Sequence, residues 1–174
     1  MKRIVIIILL ISSLFTPVLS EEVPYVFTPS VPYTAFSAIS LYESGHYADA
    51  LGACEWLDLL RKDDGSWGET AFSAPSAKFT ALSLMALMRC ENLARGLYEG
   101  DINAAAYWLL YTQGDDGSFG DVTDTALSLL ALREYAESGE INVEPALERG
   151  EKWLRGKRGE NDVEELFRLL VLGG

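Results

Sequence analysis

Histidine is almost missing from this chain: His46 is the only one in 174 residues. A zincin helix needs two, so that chemistry is excluded, and no Gly-x-Ser-x-Gly nucleophile elbow or phosphate-cradling glycine loop occurs. Basic residues are scarce too, with 14 Lys and Arg against 26 Asp and Glu and a net charge of −12. A chain this acidic repels nucleic acid and anionic lipid, and the same acidity keeps it soluble. There are two cysteines, Cys54 and Cys90, and three methionines. Long apolar runs are confined to the N-terminus, and no second span follows.

That one run has a recognisable layout. Lys2-Arg3 precedes the apolar stretch Ile4–Ile11, which continues to Phe15. Val18 and Ser20 place small residues before Glu21-Glu22. The pattern is that of a secretory signal peptide cleaved after Ser20, which predicts an extracytoplasmic protein; an uncleaved segment would instead hold it to a membrane. No cysteine stands at the junction to carry a lipid. Removal of residues 1–20 leaves 12 basic and 26 acidic residues, a net of −14.

What remains has a period. Trp56-Leu57 and Trp108-Leu109 lie 52 residues apart, as do the turns DDGSWG (Asp63–Gly68) and DDGSFG (Asp115–Gly120). Trp153-Leu154 follows 45 further on. Thr34-Ala35, Thr80-Ala81 and Thr125-Ala126 keep step at 46 and 45. The mismatch has a local cause, a loop insertion around Glu69–Ser76. Self-similarity at this spacing reads as a stack of supersecondary units.

Each unit reads as two helices. Thr80–Met88 and Thr125–Leu132 are rich in Ala, Leu and Met, without Gly or Pro, and suit helices buried on several sides. In Ala48–Lys62, Leu51, Trp56, Leu59 and Leu60 form the expected apolar stripe, with Asp49, Glu55, Asp58 and Lys62 outward. The expected helices are 34–44, 47–62, 77–92, 102–113, 124–138, 143–156 and 162–172. Asp101, Asn142 and Asn161 are expected N-caps, Asn161 pairing with Glu164 as a capping box. Gly45, Gly100, Gly114, Gly139 and Gly173 sit where helices should stop. The chain therefore divides into a signal peptide (1–20), an extended Pro-containing segment (21–33) and a helical domain (34–174). If the first hairpin turns near 61–77, Cys54 and Cys90 are offset by about six residues, roughly 9 Å along the axis. An unstrained disulfide reaches about 7 Å between Cα atoms, so two buried thiols are expected.

The run Trp108-Leu109, Gln113, Gly117-Ser118-Phe119 resembles the QW repeat of the terpenoid cyclases and protein prenyltransferases. Trp56-Leu57 with Gly65-Ser66-Trp67 is a second copy, with Arg61 where Gln belongs. Trp153-Leu154 begins a third, with Arg158 at that place and no Gly-x-Trp after it. The resemblance implies an all-α fold, an α/α toroid-like array of helical hairpins amounting to about half a barrel. It also implies structural roles for Trp56, Gly65, Trp67, Trp108, Gln113, Gly117, Phe119 and Trp153. The glycines would supply positive φ, the aromatics packing, and Gln113 hydrogen bonds to loose carbonyls at a helix end.

The same family offers two chemistries to test. Asp121-Val122-Thr123-Asp124-Thr125-Ala126 resembles the cyclase DxDD-T-A segment, whose middle acid protonates substrate; here that place is Thr123, far too weak an acid. If the chain were an enzyme of this type, Asp121 and Asp124 would carry it; otherwise Asp121 or Thr123 caps the following helix. Prenyltransferases bind zinc through Asp, Cys and His, a set this chain lacks, so no metal or cofactor is expected. Calcium at Asp63-Asp64 or Asp115-Asp116 is the weaker alternative to a turn. Arg155, Lys157 and Arg158 read as the charged end of a helix. The reading is thus a secreted, non-catalytic domain binding a small apolar ligand or protein partner on a concave face. A homodimer could complete the ring through the apolar Glu165–Leu172 edge. The alternative is an enzyme acting on an isoprenoid or other apolar substrate.

Overall fold

The structure is a computed structural model that describes residues 30–137 and 140–173. The expected signal peptide, residues 21–29 of the Pro-containing segment and Gly139 lie outside the described residues. Within them the chain is all-helical, with no strand. Its seven helices are α1 (Val31–Glu43), α2 (Tyr47–Leu59), α3 (Ala77–Glu91), α4 (Glu99–Thr112), α5 (Val122–Tyr135), α6 (Glu144–Arg155) and α7 (Asp162–Leu172).

The helices form two layers. α1, α3, α5 and α7 make one row, each packed on the next. α2 packs on α1 and α3, α4 on α3 and α5, and α6 on α5 and α7. The composition explains which helix goes where. Every residue of α3 from Thr80 to Cys90 is buried, as is every residue of α5 from Thr125 to Leu132. Only a helix apolar all round tolerates neighbours on so many sides. α6 is its opposite, charged outside and burying Ala146, Leu147, Gly150 and Leu154. Gly150 lets α6 approach α5 closely: a Cβ there would lie 2.5 Å from the Leu129 side chain, which would have to move.

Several expected boundaries shift. α1 starts at Val31, so residues 31–33 are helical where an extended segment was expected; Pro32 occupies the first turn, where its missing N–H is no loss. α2 ends at Leu59, not Lys62, because the Lys62 N–H donates to the Ser66 carbonyl at 2.9 Å across the turn. Its buried stripe is Ala50, Cys54 and Leu57, while Leu59 is 80% exposed. α4 starts at Glu99, which puts Gly100 inside its first turn and makes Tyr98, not Asp101, the N-cap. Asn142 precedes the cap residue Val143, yet its side chain still accepts from the Glu144 N–H at 3.1 Å. Asn161 caps α7 as expected, accepting from the Val163 and Glu164 N–H groups. Glu164 returns to the Glu160 N–H at 2.8 Å, one residue earlier than a standard capping box.

The cysteines overturn the expectation of free thiols. Cys54 and Cys90 form a disulfide between α2 and α3, with Cα atoms 6.6 Å apart. The expected offset assumed a hairpin symmetric about 61–77. In the structure the Cys54 sulfur sits 3.5 Å from the Ala86 carbonyl and the Cys90 sulfur 3.4 Å from the Ala50 carbonyl. Each of those carbonyls lies beside the N–H four residues on, Ala86 with Cys90 and Ala50 with Cys54, so the two cysteines lie level with each other, a stagger within disulfide reach. The long connection between the helices sets that stagger.

Candidate functional site

The two DDGS turns are built alike. The first follows α2 and precedes α3, and the second follows α4 and precedes α5. The Asp64 carboxylate accepts from the Ser66 N–H and hydroxyl, and Asp116 does the same with Ser118. Such Asx turns hold the following glycine in the left-handed region, at φ 86° for Gly65 and 92° for Gly117. The other carboxylate oxygen reaches the next hairpin. Trp108 donates its indole N–H to Asp64 at 3.1 Å, and Trp153 donates to Asp116 at 3.0 Å. The glycines let these neighbours close up: a Cβ on Gly65 would meet Ala104 at 2.8 Å, and one on Gly117 would meet the Arg149 carbonyl at 2.5 Å.

The rest of each turn faces the core. Trp67 is fully buried, and its indole N–H donates to the Leu57 carbonyl at 2.7 Å. Its backbone N–H donates to the Thr80 hydroxyl at 3.0 Å, and the Phe119 N–H donates to Thr125 at 3.0 Å. The Thr-Ala markers thus pin the aromatic of each turn to the start of the next inner helix. Gln113 donates to the Gly117 carbonyl at 3.0 Å and to the Ala146 carbonyl at 2.9 Å, so it ties the turn to α6. Arg61 takes the corresponding place in the first copy. Its Nε lies 2.8 Å from Asp101, a charge contact rather than an aligned hydrogen bond, and links the turn to α4. Asp101 itself is pushed up by burial, Arg61 opposing and Asp58 adding to the shift.

These contacts tune the turn acids. Burial pushes Asp64 up, but the hydrogen bonds from Ser66 and Trp108 outweigh it and hold the carboxyl below its ordinary value. Asp116 is lowered by the Ser118 backbone and side chain, with Trp153 and Lys157 adding to it. Lys157 also lies over the Trp153 ring, 4.7 Å from its centroid, while Arg155 pairs with Glu151 at 3.1 Å.

The DxDD-like segment stands at the start of α5. Asp121 is its N-cap and accepts from the Asp124 N–H at 2.8 Å. Asp124 accepts from the Lys78 N–H at 3.3 Å, joining the start of α5 to the start of α3. Burial pushes the Asp124 carboxyl up, with Asp121 adding to the shift and Lys78 opposing it. Thr123 is half-buried beside it. A cavity of about 420 Å³ lies elsewhere, lined by Met88, Glu91, Arg95, Glu99, Asn103 and Tyr135 among others. It sits at the far ends of α3 and α5, some 16 Å along the helix from Asp124. His46 precedes α2. No group of three or more metal-binding side chains occurs among the described residues.

One polar cluster was not anticipated. Arg89 of α3 is 7% exposed and donates to Glu43 of α1 at 3.2 Å, Glu134 of α5 at 2.8 Å and the Met85 carbonyl at 2.9 Å. The three charged residues each lie nine positions after their marker threonine, so the alternation of sign was readable from the period. Burial pushes Glu134 up despite the opposing pull of Arg89.

No family model matches the chain, and no curated protein or solved structure matches it.

Proposed function

We propose that this chain is a non-catalytic, extracytoplasmic module of helical hairpins, arranged as part of an α/α toroid, that binds a ligand or protein partner. The observation that carries the reading is the engagement of Asp121 and Asp124. Both are hydrogen-bonded to helix starts, and the cavity of about 420 Å³ lies at the opposite ends of those helices. A cyclase acid must face its substrate in a dry pocket. Three further features support the module reading: the matched turns, the alternation of inner and outer helices, and the resemblance to QW repeats. The Cys54–Cys90 disulfide fits an oxidising compartment. α7 leaves Val163, Leu166 and Leu169 exposed at 53%, 39% and 52%, an apolar edge suited to a second copy or another protein.

The test is an Asp124→Asn variant assayed on polyprenyl diphosphates and squalene-type substrates beside the wild type. The reading expects no turnover from either protein. Wild-type turnover that the variant loses while staying folded would establish the enzyme of cyclase or prenyltransferase type instead. Light scattering tests the second copy: a strict monomer at high concentration rules out the homodimer.

A further inference from the structure

The contact between each DDGS turn and the next outer helix occurs twice, in one geometry. The helix contributes a tryptophan, a backbone open to close approach four residues earlier, and a contact point seven residues earlier. On α4 these are Trp108, Ala104 and Asp101; on α6 they are Trp153, Arg149 and Ala146. The first outer helix, α2, carries the same pattern in Trp56, Gly52 and Asp49. There it is unused. Nothing lies within 4 Å of a Cβ placed on Gly52, Asp49 is exposed, and the Trp56 indole N–H has no hydrogen-bond partner among the described residues.

We propose that this side of α2 is a docking face for an Asp-Asp-Gly-Ser turn on a separate polypeptide built of similar helical hairpins. The occupant is not a second copy of this chain. Its two such turns already hold Trp108 and Trp153, and its last hairpin has none. Asn161, at the spacing where Asp64 and Asp116 stand, caps α7. The contact point also selects the turn. Asp49 matches Asp101, which meets Arg61, whereas the neutral backbone of Ala146 meets Gln113. The partner turn therefore reads Arg-x-Asp-Asp-Gly rather than Gln-x-Asp-Asp-Gly. This surface is distinct from α7 and from the cavity at the far ends of α3 and α5, so its failure leaves the proposed function standing.

The test supplies the turn on the full chain. Gly159-Glu160 is replaced by a copy of Lys62–Gly68, which follows Arg158 as Lys62 follows Arg61. The grafted chain should associate with the wild type, as read by sedimentation velocity. Trp56→Phe in the wild-type partner should weaken that binding about tenfold, the loss of one charge-assisted hydrogen bond. Arg158→Gln in the graft should weaken it as well. A grafted chain that is helical by circular dichroism yet stays monomeric, or binds the Trp56→Phe partner equally, overturns the proposal. Hydrogen exchange of indole N–H groups in the ungrafted chain decides independently. Trp67, Trp108 and Trp153 should exchange slowly and Trp56 fast. Slow exchange at Trp56 in the monomer means the chain covers this face itself, and the proposal falls.

Discussion

Gly65 and Gly52 sit in the same chain under opposite constraints. Gly65 has positive φ and backbone 2.8 Å from its would-be Cβ; Gly52 is helical with open space around it. Gly65→Ala should cost about 2–4 kcal/mol, strain and clash together, and Gly52→Ala should gain about 0.5–1 kcal/mol from helix propensity. Urea midpoints of the two variants check both signs. The carboxylates divide in the same way. Asp64 and Asp116 are lowered, so the stability they contribute is present above the ordinary carboxylate range and lost as pH falls through their folded values. Asp124 and Glu134 are raised by burial, so the folded state takes up their protons first and gains stability as pH falls towards that range. Stability should therefore rise as pH falls towards the ordinary carboxylate range and fall again once the lowered acids are protonated, in a chain that also sheds net negative charge on acidification. Asp124→Asn with Glu134→Gln should flatten the rise in stability above the ordinary carboxylate range; a thermal-melt series across pH shows whether it does.

At the scale of the helix, two cross-links hold neighbours in register. The disulfide joins α2 to α3 across a sequence separation of 36, a closed loop whose chain entropy predicts about 2–4 kcal/mol of stabilisation. Cys54→Ala with Cys90→Ala should lower unfolding stability by that amount, and a thiol assay on the denatured wild type should find no free sulfhydryl. Arg89 clamps α1, α3 and α5 through Glu43 and Glu134. Arg89→Met should cost about 2–4 kcal/mol, because it strands a largely buried carboxylate. Adding Glu134→Gln should restore part of the loss, and chemical denaturation of the single and double variants measures the coupling.

Across the whole molecule, the period carried most of the architecture. The spacing of Trp-Leu, DDGS and Thr-Ala located seven helices within a few residues, because hydrophobic periodicity and turn chemistry are local properties. Asp121 as a helix cap and Gln113 as a tie to loose carbonyls were legible for the same reason. The second carboxylate oxygen of Asp64 was not, since its partner Trp108 lies 44 residues away and only packing brings them together. The Cys54–Cys90 bond was misjudged for a related reason. Stagger between two helices depends on how the long 60–76 connection folds, and that loop has no periodicity to read. By itself the sequence determined helix positions and turn types, both set by residue chemistry at short range. Only the tertiary structure decided which carboxylates meet indoles, which cysteines meet each other and which tryptophan lacks a partner among the described residues, because those depend on distances between elements that the chain order does not contain.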